Sequence, residues 1–172
     1  RTEVQKCTKN GVSDITEIKI GFDGIALANA KSGPDLELSL KDVYLALAKV
    51  VPNDAEGHTV KPNSYKMWNE INPKLPSAPI VVIGPPPTSG TRDAFNELAI
   101  ESGCEKFSGR KILKKSDEKV YKQECRSIRE DGIYVEAGEN DNLIIAKLTA
   151  NPAAICVFGY SRFFYYKPKF NV

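Results

Sequence analysis

The stretch from Ala78 to Ser102 limits the fold more than any other part of this sequence. Ala78 to Ile83 is an apolar run flanked by prolines, the pattern of a strand covered on both faces of a parallel sheet. It stops at Gly84-Pro85-Pro86-Pro87, where fixed φ angles and missing N–H donors prevent a sheet from continuing. Thr88-Ser89-Gly90-Thr91 follows, and from Arg92 to Ser102 the residues Ala94, Phe95, Leu98 and Ala99 recur at helical spacing. Gly103 reads as the C′ residue that closes this helix. The order is strand, rigid turn, helix.

The rest of the chain repeats that alternation, which predicts an α/β fold. Ile18 to Asn29 has β-rich composition broken by Gly21 and Gly24, giving two short strands or one bent strand. Leu40, Val43, Tyr44, Leu47 and Val51 place an amphipathic helix over Leu40 to Val50, with Ser39 as its N-cap. Pro52 to Pro79 contains five prolines and is expected to be mostly loop, with Trp68 as a packed anchor and a short helix near Tyr65 to Ile71. Leu143, Ile144, Ala146, Lys147 and Leu148 form a further helical stripe, capped by Asn142 or Asp141 and ended by Pro152. Ala153 to Tyr160 is a strand candidate. No internal repeat or low-complexity tract is present.

Charge narrows the partners. Twenty-four basic and 22 acidic residues leave a net charge of +2, too balanced to create the broad positive field of a nucleic-acid binder, so no nucleic acid is expected and an anion must be captured locally. The cluster Arg110, Lys111, Lys114, Lys115 is interleaved with acids and reads as a solvated face. No apolar run is long enough to span a bilayer. No secretory signal is visible, and an exported protein would have lost it or carry it outside this sequence.

The cysteines, Cys7, Cys104, Cys125 and Cys156, lack the C-x-x-C spacing of zinc or thioredoxin-like sites, so no metal is expected. A bridge between Cys104 and Cys125 would staple a polar, Lys-rich segment in an oxidising compartment; free buried thiols are the alternative. The single histidine, His58, reads as a surface side chain. Glu136, Glu139 and Asp141 precede a helix and read as caps and dipole partners before they read as a general acid/base pair. Neither G-x-x-x-x-G-K-[ST] nor G-x-G-x-x-G occurs, so no nucleotide cofactor is expected.

One segment carries chemistry. The first turn of a helix offers N–H groups without intrahelical acceptors and the positive end of the helix dipole, which together suit an oxyanion. Ser89, Gly90 and Thr91 fit that need: Gly90 admits the ligand to the backbone, and the hydroxyls of Thr88, Ser89 and Thr91 add donors. Arg92 offers a charge-assisted contact. The plainer alternative is that Ser89 only caps the helix.

The block G-P-P-P-T-S-G-T-R-D-A-F at Gly84 to Phe95 resembles the phosphate-binding protein of bacterial ABC phosphate transporters, a type II periplasmic binding protein. I-G-F-D-G-I-A-L-A-N at Ile20 to Asn29, L-K-D-V-Y-L-A-L-A at Leu40 to Ala48, E-N-D-N-L-I-I at Glu139 to Ile145 and F-G-Y-S at Phe158 to Ser161 agree in the same order. The resemblance implies one lobe of a two-lobed fold, a mixed, mainly parallel sheet flanked by helices. Residues 1–22 would be the remnant of the first lobe and its crossover, 23–158 the second lobe, and 159–172 the return crossover with a divergent tail. It implies a non-enzymatic receptor for inorganic phosphate, periplasmic or secreted, whose closure is read by an inner-membrane ABC permease.

Ser89, Gly90 and Thr91, with Thr88 beside them, are the positions that match the family's phosphate site. Family members often carry an arginine four residues before that serine; here Pro85 stands there, and Arg92 takes over as the cationic candidate. With the first lobe's loops absent, weak affinity is expected for this chain alone. A degenerate lobe serving as a secreted protein-interaction module is the second reading. Its contacts would be the surface left by the missing lobe, used by a partner or a second copy, and the aromatic tail Phe163-Phe164-Tyr165-Tyr166, although a packed terminal strand also accounts for that tail.

Overall fold

A computed structural model of the chain describes all residues except Arg1, Glu17, Asp23, Glu139, Asn140, 161–169 and Val172; the side chains of 2–3, 141–145 and 170–171 also lie outside the description. The order of elements is α1 (Thr2–Lys9), β1 (Ile25–Ala30), α2 (Leu40–Leu47), β2 (Val50–Pro52), β3 (Val60–Pro62), α3 (Trp68–Ile71), β4 (Val82–Gly84) and α4 (Gly90–Phe95). A π-helical turn (Asn96–Glu101) continues α4 into α5 (Ser102–Cys104), followed by α6 (Ser108–Ser116), α7 (Glu118–Arg126), β5 (Tyr134–Glu136), α8 (Asp141–Ala150), β6 (Ile155–Gly159) and β7 (Phe170–Asn171).

The main sheet runs β5-β4-β6-β1-β7, with β5, β4 and β6 mutually parallel and β1 antiparallel to both β6 and β7. Strand alternation divides its side chains between two cores. Val82, Tyr134, Ile155 and Val157 meet α2, α3, α4, the π turn, α5 and α7 on one face. Ala26, Ala28, Ile83, Cys156 and Phe158 meet Leu148 of α8 on the other. The protein is therefore α/β, with a mixed sheet between helical layers, as the alternation of apolar strand and helix patterns requires.

Several local readings change. Helix α2 ends at Leu47, and Val51 belongs to the β2–β3 hairpin; Leu40 and Lys41 are exposed, but Asp42 to Leu47 are all buried, so past its first two residues the helix is enclosed on every side. Its start holds as read, because Ser39 and Asp42 form a reciprocal capping box. No strand covers 18–22; Ile18, Ile20 and Phe22 are 77, 98 and 90% exposed, and β1 begins at Ile25. Helix α8 opens at Asp141, so Asp141 and Asn142 lie within its first turn and not at the cap. Trp68 is a buried anchor on α3, as expected. The tail at 163–166 and Glu139 lie outside the described residues.

The basic cluster also divides. Arg110 is only 3% exposed: Nη2 donates to His58 O at 2.7 Å, Nε donates to Gly57 O, and Nη1 pairs with Glu124, so it ties α6 to the β2–β3 loop and to α7. Lys114 bridges Glu101 and Glu105. Cys104 and Cys125 form a disulfide between α5 and α7, whereas Cys7 is free and exposed and Cys156 free and buried.

Gly103 is no C-cap; the helix runs through it to Cys104. A Cβ there would lie 2.1 Å from Leu40 O and 2.6 Å from Tyr44 Cβ, so the glycine permits close crossing of α2 and α5. Gly103→Ala gains about 1 kcal/mol of helix propensity, but overpacking against backbone costs roughly 2–3 kcal/mol or more. Net destabilisation is the expected result, and an unchanged or raised unfolding midpoint in urea would contradict this account of the crossing.

Candidate functional site

Strand β4 delivers the chain to the sheet's carboxyl edge, the side on which open α/β sheets hold ligands. Its last residue, Gly84, must lack a side chain, because a Cβ would meet the Tyr134 hydroxyl at 2.2 Å. The prolines then make a turn rich in acceptors. Pro85 O receives the Tyr134 hydroxyl at 2.9 Å and Arg92 Nη1 at 3.1 Å, and Pro86 O receives Ser89 N–H at 3.0 Å.

Ser89 occupies the N-cap position with extended backbone (φ −87, ψ 133), and its carbonyl accepts from Arg92 N at 3.0 Å and Asp93 N at 3.2 Å. Its hydroxyl makes no capping bond. Side-chain capping, the plainer role weighed for Ser89, is therefore not what its Oγ does here. Among the described residues the N–H groups of Gly90 and Thr91 have no acceptor, and the hydroxyls of Thr88, Ser89 and Thr91 have no hydrogen-bond partner. Gly90 is exposed with nothing within 4 Å of where a Cβ would stand, so the backbone is open to an incoming ligand.

The structure thus brings Thr88, Ser89, Gly90 and Thr91 into one turn at a helix start, with two backbone and three hydroxyl donors. Positive charge comes from the helix dipole and from Arg92 at the third helical position. The Arg92 guanidinium lies 4.2 Å over the Tyr134 ring and donates to Pro85 O, so it sits beneath the turn, engaged with the protein. Burial pushes the Tyr134 hydroxyl above its ordinary value, opposed by the Arg92 charge, so it is a phenol donor throughout the neutral range. Sequence reasoning missed Tyr134, because only the placement of β5 beside β4 brings it to Pro85.

Neighbouring elements converge on the same edge. The loop after β5 is joined to β4 through Ala137 N–H to Gly84 O at 3.0 Å and leads into a second helix start at Asp141. Gly24, before β1, and Tyr160, after β6, meet there too, through Tyr160 N–H to Gly24 O at 2.6 Å. His58 lies apart, exposed in the β2–β3 loop, 2.7 Å from Glu56. Among the described residues no group of three or more His, Cys, Asp or Glu could hold a metal ion.

Known proteins share this arrangement of chain. Protein SphX of Synechococcus elongatus is 27% identical over 161 residues, which is 94% of this chain and 37% of that protein. The structure of a possible phosphate binding protein from Planctomyces limnophilus matches with a TM-score of 0.57 at 18% identity, over 98% of this chain and 46% of that one. PstS from Borrelia burgdorferi matches with a TM-score of 0.51 at 16% identity, over 87% and 46%. At these identities the two structures establish the fold, and the chain spans less than half the length of each of these relatives. The family model described as PBP superfamily domain matches residues 1–167, and the chain belongs to that family.

Proposed function

We propose that this chain forms one wall of a receptor site for inorganic phosphate, serving an ABC-type uptake system outside the cytoplasm. The observation that carries the proposal is the turn at Ser89-Gly90-Thr91, where two unpaired N–H groups and free hydroxyls stand at a helix start on the carboxyl edge of the sheet. The hydroxyls of Thr88, Ser89 and Thr91 can accept as well as donate and so can take the proton of a protonated phosphate oxygen, while the amide N–H groups donate to its unprotonated oxygens. The name of one structural neighbour, a possible phosphate binding protein from Planctomyces limnophilus, points the same way. The Cys104–Cys125 bridge suits an oxidising compartment, and no described helix is long and apolar enough to cross a membrane.

In this reading residues 23–158 form the second lobe, which bears the phosphate turn, 1–22 are the remnant of the first lobe with its crossover, and 159–172 are the return crossover with a divergent tail. The first lobe closes over the anion, a movement sensed by a membrane permease. Gly24 and Tyr160 lie at the same edge as Gly84, which supports this division. The exposed Ile18, Ile20 and Phe22 would pack against the rest of that first lobe. They also favour a second reading, a lobe that binds another protein or a second copy through this segment. Sedimentation separates the two: the receptor reading expects a monomer, the interaction reading a concentration-dependent dimer or complex.

With one wall the anion keeps much of its hydration, and each absent charge-assisted hydrogen bond removes roughly 1.5–3 kcal/mol, so the 172-residue chain is expected to bind phosphate orders of magnitude more weakly than a closed site. Phosphate and sulfate titrations followed by 1H–15N spectra test this. Saturable shifts at Gly90 and Thr91 with phosphate, weakened about tenfold or more by Ser89→Ala/Thr91→Ala, are the expected outcome. Absence of saturable shifts at those amides in the unmodified chain would overturn the phosphate reading, and submicromolar affinity would overturn the one-wall argument.

A further inference from the structure

Three consecutive prolines present three carbonyl oxygens and no N–H, so none of them can donate to fix the turn before the anion site. Donors must come from elsewhere. Pro86 O is met by Ser89 N–H, whereas among the described residues Pro85 O is met only by side chains, the Tyr134 hydroxyl at 2.9 Å and Arg92 Nη1 at 3.1 Å. Arg92 and Tyr134 are 8 and 6% exposed, and the guanidinium stacks on the ring at 4.2 Å, so each donor holds the other in place. Because Arg92 reaches back to Pro85, seven residues earlier, its bond closes a ring of chain in which Thr88, Ser89, Gly90 and Thr91 all lie.

We infer that Arg92 and Tyr134 are positioning residues: together they clamp Pro85 and thereby aim the Gly90 and Thr91 N–H groups at the anion. The inference rests on the phosphate reading of the site, and it gives Arg92 a different role from the ligand expected from sequence. Its charge is held beneath the turn, where it adds to the field at the helix start without touching the anion. Tyr134 anchors the clamp to β5, so the aim of the turn depends on the sheet itself.

Tyr134→Phe is the discriminating change, since it keeps the ring and its stack on Arg92 and removes only the donor to Pro85 O. In the full chain, at a temperature where both forms are folded, phosphate titrations read by 1H–15N spectra should give an affinity about five- to tenfold lower for the variant. The free-state resonances of Gly90 and Thr91 should also move. Arg92→Lys, which keeps the charge and loses the planar fork, should weaken binding in the same direction, and the double variant should be less than additive. If the unmodified chain binds phosphate and Tyr134→Phe matches it in affinity and in the free-state Gly90 and Thr91 shifts, the clamp is wrong while the phosphate reading stands. If the unmodified chain shows no saturable shifts, the phosphate reading falls and the clamp with it.

Discussion

Arg129→Met is expected to destabilise the chain by about 3–5 kcal/mol, the range for emptying one side of a buried charged network. The guanidinium is almost wholly buried and donates to Tyr65 O at 2.9 Å, Asn63 O at 3.2 Å and Ala46 O at 3.3 Å, while Nε meets Asp131 at 2.8 Å. It thus joins the end of α2, the segment after β3 and the chain leading to β5. Methionine would leave those carbonyls without donors, at roughly 1–3 kcal/mol for each that water cannot reach. Asp131 matters less, because its side chain is 41% exposed and Lys66 offers a second cation at 3.3 Å.

At roughly 2–4 °C of melting temperature per kcal/mol for a chain of this size, a fall of about 10 °C is expected, with only partial rescue by Arg129→Lys. A drop under about 3 °C would mean the carbonyls find other donors. Acid titration supplies an independent check. Arg129 holds the Asp131 carboxyl down at about 2, against an ordinary 3.8. A depressed folded value adds stability that is fully present above pH 3.8 and lost as pH falls through about 2, so the difference between the two proteins should narrow across that window.

What the sequence made legible follows periodicity and caps. The N-cap at Ser39, the strand in the run to Ile83 and the helix over Ala94 to Ala99 are local patterns, and each element is present, although the strand covers only Val82–Gly84 and the helix takes a π turn at Asn96–Glu101 that leaves Leu98 exposed. The disulfide was one of two open alternatives, because pairing depends on α5 and α7 packing side by side. What stayed hidden is long-range. Arg110 looked solvated because its acceptors, Gly57 O and His58 O, stand over fifty residues away. Gly103 looked like a helix end because nothing local announces that Leu40 O presses against it. The anion turn was visible as Thr88 to Thr91, yet its support was not: Tyr134 enters through sheet order, and no local pattern announces that Arg92 folds back to Pro85 O.

Removing the Cys104–Cys125 bridge by double replacement with serine is expected to cost about 3–4 kcal/mol, mostly by freeing the unfolded chain, since the cysteines stand 21 residues apart and loops of that length lose roughly this much closure entropy. The folded arrangement should survive. Around the bridge, the buried Glu101 carboxylate accepts from Arg126 Nε at 2.6 Å and Lys114 at 3.2 Å, and the Tyr121 hydroxyl donates to Glu105 at 2.9 Å, so α7 stays docked without the sulfur link. Melting in the bridged and serine forms should differ by roughly 6–16 °C, with phosphate-induced shifts at Gly90 and Thr91 unchanged, because the link lies at the far end of the helix that starts there. Both sulfurs are buried, so reductant should act at the rate at which α7 opens and not at the rate of an exposed disulfide. If the serine form melts within about 2 °C of the bridged one, the ion pairs alone hold the helix pair; if it loses the Gly90 and Thr91 response, the helix start depends on how its far end is tethered.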